Sequence, residues 1–229
     1  MEGLFGVVSP GSSRLEAAGS SDHVRALGGE RPALCHPSAA MWAGGWASVC
    51  RAPDGVDAAG TAHLVGVGRR VGAPEPPLAS VIEAYRGQGP TSVGHLDGQF
   101  CVALWDNPSE RLVLAIDRFS TRPLYYGESS GSLFFSSHLR WLPRQLRERV
   151  DRQAILEYLL YEVIPTPRTP FTGVRKLRPG HLLIADRAGV REVPYWDMTY
   201  VEGNGGAATW ARRLRGELED AVRRYVAAE

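Results

Sequence analysis

Apolar residues in this chain come mostly in short runs, not at helical spacing. Gly3 to Val8 is one such run, closed by Pro10, Gly11, Ser12 and Ser13, and it predicts a buried first strand. Residues 14 to 43 are rich in Ala, Gly and Ser with little periodicity, which predicts a weak helix and loops. Trp46 to Cys50 and Ala62 to Val67 read as further strands. After the breaker cluster Gly72 to Pro77, the positions Leu78, Val81, Ile82 and Tyr85 predict a helix to about Arg86. Gly87, Gly89 and Pro90 end it.

The pattern is clearest from residue 96 onward. Phe100 to Trp105 and Leu112 to Ile116 flank the turn Asp106-Asn107-Pro108, so they predict a β-hairpin. Leu124 to Tyr126 and Leu133 to Phe135 form a second pair around Gly127 to Gly131. Asp151 is suited to cap a helix carrying Ile155, Leu156, Leu159 and Leu160. Pro165, Pro167 and Pro170 then impose extended backbone. His181 to Ala185 is a strand, Asp186 to Gly189 its turn, and Val190 to Tyr195 the return. Glu202 to Gly206 reads as a linker before a last helix, Thr209 to Val226. One face of that helix carries Trp210, Leu214, Leu218, Val222 and Tyr225, and the other is charged. Strands do not alternate strictly with helices, so an α+β sandwich is expected before a doubly wound parallel sheet.

Composition narrows the classes. With 229 residues, 44% hydrophobic and 22% charged, the chain is an ordinary globular one, not disordered, collagen-like or coiled coil. The formal charge of +1 supplies no field for nucleic acid or an anionic membrane. Cys35, Cys50 and Cys101 are too few and scattered for a disulfide framework, and no Cys/His spacing suggests a metal. No apolar run is long enough to span a membrane, and no basic-then-apolar leader opens the chain. A cytoplasmic protein is the expectation.

Five stretches, in order, carry a resemblance. Gly98-Gln-Phe-Cys-Val-Ala-Leu-Trp-Asp106 resembles a GxFAFALWD strand. Asp117-Arg-Phe-Ser-Thr-Arg-Pro-Leu-Tyr-Tyr126 resembles DRxGxRPLYY, with Asp117, Arg118, Arg122 and Pro123 matched. Leu133 to Leu139 resembles LxFASELKAL, Ile164 to His181 resembles PxPxTxFxGVRKLPPGH, and Tyr195-Trp-Asp197 resembles YWD. Together they resemble the N-terminal glutamine-hydrolysing domain of the asparagine synthetase family. The resemblance implies an N-terminal-nucleophile α-β-β-α sandwich, two stacked and mainly antiparallel sheets with helices outside. It implies a glutaminase-like domain over residues 1–201, then a linker and helix over 202–229 that would lead into a synthetase domain.

The same resemblance exposes losses. Active members place a cysteine second, exposed as the new N-terminus when Met1 is removed; its thiol attacks glutamine and its α-amino group is the base. Here that position is Glu2, a carboxylate, and a long side chain there disfavours removal of Met1. Trp46 stands nearest an expected arginine, no Asn-Gly occurs across His63 to Arg70 for an oxyanion hole, and Leu78 or a neighbour replaces an expected acidic residue. Cys101, within a strand, reads as a packed hydrophobe. Cys35 beside His36 is the better candidate for a relocated nucleophile. Asp117, Arg118 and Arg122 read as an ion-paired turn, and Trp42, Trp46, Trp105 and Trp141 as aromatic core.

The family's ATP site begins with SGGxDS, whose backbone amides cradle pyrophosphate. No such motif occurs in the 229 residues, and Asn204-Gly-Gly206 is a linker fragment. No cofactor is therefore expected on this chain. ATP and magnesium are expected only on a synthetase domain or partner; either the gene is split, the chain is truncated, or the domain works alone. Branches that close β-lactam or lasso-peptide rings resemble this pattern, because they have lost the cysteine. Three functions follow as expectations. The first is a degenerate glutaminase-like domain that buttresses a synthetase partner. The second is a stand-alone module that binds or senses an amino acid or amide. The third is an amidohydrolase with a relocated nucleophile. A homodimer is compatible with each.

Overall fold

A computed structural model describes residues 5–8, 55–56, 62–70, 78–106, 108–200, 203 and 205–227. Two antiparallel sheets account for the strands. The four-stranded sheet has the order β1-β7-β6-β8, from β1 (Phe5–Val8), β6 (Tyr125–Ser129), β7 (Ser132–Ser136) and β8 (Arg175–Lys176). The six-stranded sheet has the order β10-β9-β5-β4-β3-β2. Its strands are β2 (Gly55–Val56), β3 (Ala62–Arg70), β4 (Gly98–Asp106), β5 (Arg111–Ile116), β9 (His181–Asp186) and β10 (Gly189–Pro194). The expected α+β sandwich is the architecture of the chain.

The apolar runs are continuous because the large sheet is buried on both faces. Along β4, Cys101, Ala103 and Trp105 face the sandwich interior, joined there by Leu112, Leu114 and Ile116 of β5 and Leu183 and Ala185 of β9. Val8, Tyr126, Leu133 and Phe135 of the small sheet close the same core. The alternate residues Phe100, Val102 and Leu104 of β4 and Val113 and Ala115 of β5 turn outward. They pack under Val81, Ile82 and Tyr85 of helix α1 (Leu78–Gln88). Period-two alternation puts half of each run on each face, so a polar residue has no place in either set.

The outer face of the small sheet is covered, among the described residues, by two 3₁₀ turns, Leu139–Trp141 and Arg144–Arg147, and by loop. Phe134 packs there on Leu142, Leu146 and Val174. Asp151 caps helix α2 (Arg152–Tyr161) through the amides of Gln153 and Ala154 at 3.0 and 3.2 Å. The helix runs as the sequence predicts, but its apolar residues do not build a core. Ala154 is its one buried side chain, while Ile155, Leu156, Leu159 and Leu160 are exposed. Helix α3 (Ala207–Ala227) begins two residues earlier than expected, and Trp210, Leu214, Leu218, Val222 and Tyr225 are exposed. Strands β2 and β8, two residues each, had no signal in the sequence. The expected strand Trp46 to Cys50 and the loops of 14 to 43 lie outside the described residues.

Candidate functional site

The matched motif residues converge at one end of the large sheet. Gly98 opens β4 with φ of 110°, a backbone conformation that favours glycine. Asp117 follows directly on β5, and its buried carboxylate organises the turn. One oxygen, Oδ1, accepts from the amides of Phe119 at 3.0 Å and Thr121 at 3.1 Å. The other, Oδ2, accepts from the Thr121 hydroxyl at 2.6 Å and the amides of Phe100 and Arg122 at 3.3 and 3.4 Å. Five donors on one carboxylate satisfy a group that would otherwise be costly to bury. Pro123 leads on into Leu124 and β6.

This corrects the ion-paired reading of the turn. Asp117 binds main-chain amides and a hydroxyl, not the guanidinium of either arginine. Arg118 reaches Asp97 instead, through Nη1 at 3.3 Å. Arg122 enters the network by its main-chain N–H. A turn of successive amides aimed inward needs an acceptor at its centre, and the Asp117 carboxylate fills that need.

The turn is locked from the other side by the YWD stretch. The Tyr195 ring lies over Gly94, where an added Cβ would come within 2.4 Å of it. The Tyr195 hydroxyl donates to the Ile116 carbonyl at 2.7 Å. The amides of Tyr195 and Trp196 donate to the Gly180 carbonyl at 2.9 and 3.1 Å. Gly180 has φ of 66°, and a Cβ there would lie 2.3 Å from the Trp196 carbonyl oxygen, so only glycine fits. Burial, with the Asp117 charge nearby, pushes the Tyr195 hydroxyl up to about 12. Trp196 meets exposed Phe119 edge-on at 5.5 Å between centroids.

The candidate nucleophiles separate. Cys101 is fully buried on β4, and burial first, then the Asp117 charge, pushes its thiol far above the ordinary range. A thiol held protonated is not a nucleophile at neutral pH. Glu2, Cys35, Cys50, Trp42 and Trp46 lie outside the described residues. Leu78 is the first residue of α1, and no Asn-Gly occurs along β3. Trp105 is core, as expected, whereas Trp141 is half-buried with its ring 4.2 Å from that of His138. Among the described residues no group of three or more His, Cys, Asp or Glu could hold a metal ion. Among them, too, no helix is long and apolar enough to cross a membrane.

Sequence reasoning missed the role of Tyr195 as a latch, of Asp97 as the partner of Arg118, and of Thr121 as a donor to Asp117. Tyr195 was within reach, because YWD is one of the matched motifs. Asp97 and Thr121 carry no signal of their own.

A family model described as a glutamine amidotransferase domain matches residues 79–196. Over 154 residues the chain is 32% identical to Amidase chry2 of Gibberella zeae, which covers 61% of this chain and 20% of that protein. Over 140 residues it is 28% identical to the glutamine-hydrolyzing asparagine synthetase 3 of Bacillus subtilis, covering 60% of this chain and 23% of that protein. The chain thus spans about a fifth of the length of these curated relatives. A glutamine aminotransferase class-II domain protein from Silicibacter pomeroyi superposes with a TM-score of 0.42 at 14% identity, over 83% of this chain and 90% of that one.

Proposed function

The chain belongs to the glutamine amidotransferase domain family, and we propose that it is a glutaminase-like domain that no longer hydrolyses glutamine. It acts as the structural partner of a synthetase domain in an asparagine synthetase-related, ATP-dependent amide ligase. The reading rests on Glu2, the residue found where the family resemblance puts the nucleophilic cysteine. A carboxylate there attacks an amide poorly and supplies no thiolate. The buried, protonated Cys101 offers no substitute among the described residues.

The partner role rests on the helices. Leu156, Leu159 and Leu160 of α2 with Val163 beyond it leave an apolar face in water, and α3 leaves another. Contiguous exposed apolar surface of this kind marks an interaction site. The relatives named asparagine synthetase and amidase are about five times the length of the matched part, which supports a further domain as the occupant. ATP and magnesium would be held by that domain, and none of the chemistry by this one.

Two measurements test the reading. Purified chain incubated with glutamine should release no ammonia above the enzyme-free rate, and Cys35→Ala should change nothing. Glutamine-dependent ammonia that disappears in Cys35→Ala overturns the loss of hydrolysis. Co-purification with an SGGxDS-containing synthetase protein should give a stable complex; a monomer that ignores it overturns the partner role.

A further inference from the structure

One cleft lies outside the Asp117 turn. It opens where β6 and β8 of the small sheet face β9 and β10 of the large one. In the small sheet β8 is the edge opposite β1, and in the large sheet β10 is the edge opposite β2. The cleft therefore lies on the side of the small sheet away from β1. Its volume is ≈ 390 Å³, within the roughly 300–1,000 Å³ usual for small-molecule sites.

Three arginines line it, Arg175, Arg178 and Arg191, together with Tyr126 and Glu192. Their charges are not equally available. Arg191 is committed to buried Asp186, with Nη1 and Nη2 at 3.0 and 2.9 Å from its two oxygens. Glu192 is committed as well, accepting from the Tyr126 hydroxyl on Oε1 and from Arg178 Nη1 on Oε2 at 3.1 Å. That pair spends both carboxylate oxygens and one nitrogen of the Arg178 fork. Arg175 is exposed on the cleft wall, where its guanidinium is hydrogen-bonded to the Tyr126 hydroxyl; no ion pair joins it to a carboxylate among the described residues. Glu128, exposed among the lining residues, is the one further carboxylate there.

Two guanidinium groups thus present donors to one hollow, one of them fixed in place by Glu192. A planar fork of N–H donors matches the geometry of a carboxylate or phosphate. We propose that this cleft binds a small oxyanion, a carboxylate or a phosphate group, between Arg175 and Arg178. Glu192 and Tyr126 hold Arg178 for that contact, and Glu192 does not repel the ligand fully because its oxygens are already donated to. The site is independent of glutamine hydrolysis and of any synthetase partner.

Titration calorimetry of the full chain at low ionic strength tests it, with inorganic phosphate, pyrophosphate and malate as probes. At least one should bind saturably with a Kd in the millimolar range or below, and the stronger arm, phosphates or dicarboxylate, identifies the source. Arg175→Gln should weaken that binding about tenfold or more. The exposed position of Arg175 predicts an unchanged melting temperature in that variant. Arg178→Gln should do the same, with its circular dichroism confirming the fold. Absence of saturable heat with all three probes up to roughly 10 mM overturns the proposal. Equal binding by Arg175→Gln also overturns it. Ammonia release and synthetase capture are read in separate assays, so their failure leaves this result standing.

Discussion

The Tyr195 hydroxyl donates to the Ile116 carbonyl at 2.7 Å, joining residues 79 apart in sequence. This bond holds the chain after β10 onto the end of β5, next to the Asp117 turn. Tyr195→Phe keeps the ring on Gly94 and removes only the donor. It leaves the Ile116 carbonyl without that donor, so a loss of about 1 kcal/mol is expected. For a domain of this size that is a fall of about 2–4 °C in melting temperature.

The same residue sets an alkaline limit. Its hydroxyl ionises near 12 in the folded chain, above the ordinary 10. A folded value raised above the unfolded one gives stability that is complete below pH 10 and is lost as pH rises towards 12. Tyr85, Tyr125 and Tyr126 are also raised, chiefly by burial, and act in the same direction. Unfolding curves at intervals from pH 8 to 11.5 should show stability falling above 10, and less steeply in Tyr195→Phe than in the parent. Identical slopes would remove Tyr195 from the account.

Asp117 and Arg118 should behave unlike one another, although both belong to the matched motif. Asp117→Asn replaces one acceptor oxygen with an NH₂ group facing amide donors, in a buried place. A loss of about 3 kcal/mol is expected, in the range for breaking a buried network. Arg118→Ala removes a largely exposed pair with Asp97, worth about 0–1 kcal/mol. Denaturant titration of both variants checks this. Equal losses would restore the ion-paired picture of the turn.

Ser120 occupies the position where the resembled motif has glycine. Its φ is 53°, and its buried hydroxyl has no hydrogen-bond partner among the described residues. A left-handed conformation is costly for any residue with a Cβ. Ser120→Gly relieves that cost and the unsatisfied hydroxyl, against the greater entropy of glycine in the unfolded chain. The expected net gain is about 0.5–1 kcal/mol, read as a higher denaturant midpoint at unchanged slope. A lower midpoint would mean that Ser120 contributes something its surroundings do not show.

The fold was legible where one period ruled a whole segment. The runs Phe100 to Trp105, Leu112 to Ile116 and His181 to Ala185 read as strands because both faces of the large sheet are buried, and continuous runs then mean strand. The helix from Leu78 was legible because only one of its faces is covered. Strands β2 and β8 were not legible, since two residues carry no period. The Asp117 network was half legible: the motif marked Asp117, but its partners are backbone amides, which have no sequence signature. The cleft arginines lay inside a matched stretch, and only the fold brings Arg175 and Arg178 across from Arg191. On α2 the sequence marked Ile155, Leu156, Leu159 and Leu160 as helical but not what they pack on; burial is a property of the neighbour, and among the described residues no neighbour covers them.

That exposed face separates stability from association. Leu159 is 73% exposed, so Leu159→Glu removes little packing in the isolated chain. Its stability should change by no more than about 0.5 kcal/mol, as for surface substitutions in general. If α2 is the seat of a synthetase domain, the same substitution places an unpaired carboxylate in an apolar contact, which is costly. Binding to an SGGxDS-containing partner, measured by calorimetry, should then weaken at least tenfold, about 1.4 kcal/mol. Ala154→Glu is the contrasting variant, because Ala154 is the buried residue of the helix and its replacement should destabilise the chain itself. If Leu159→Glu binds such a partner as tightly as the parent, α2 is not the seat, and the stripe from Trp210 to Tyr225 on α3 becomes the surface to substitute next.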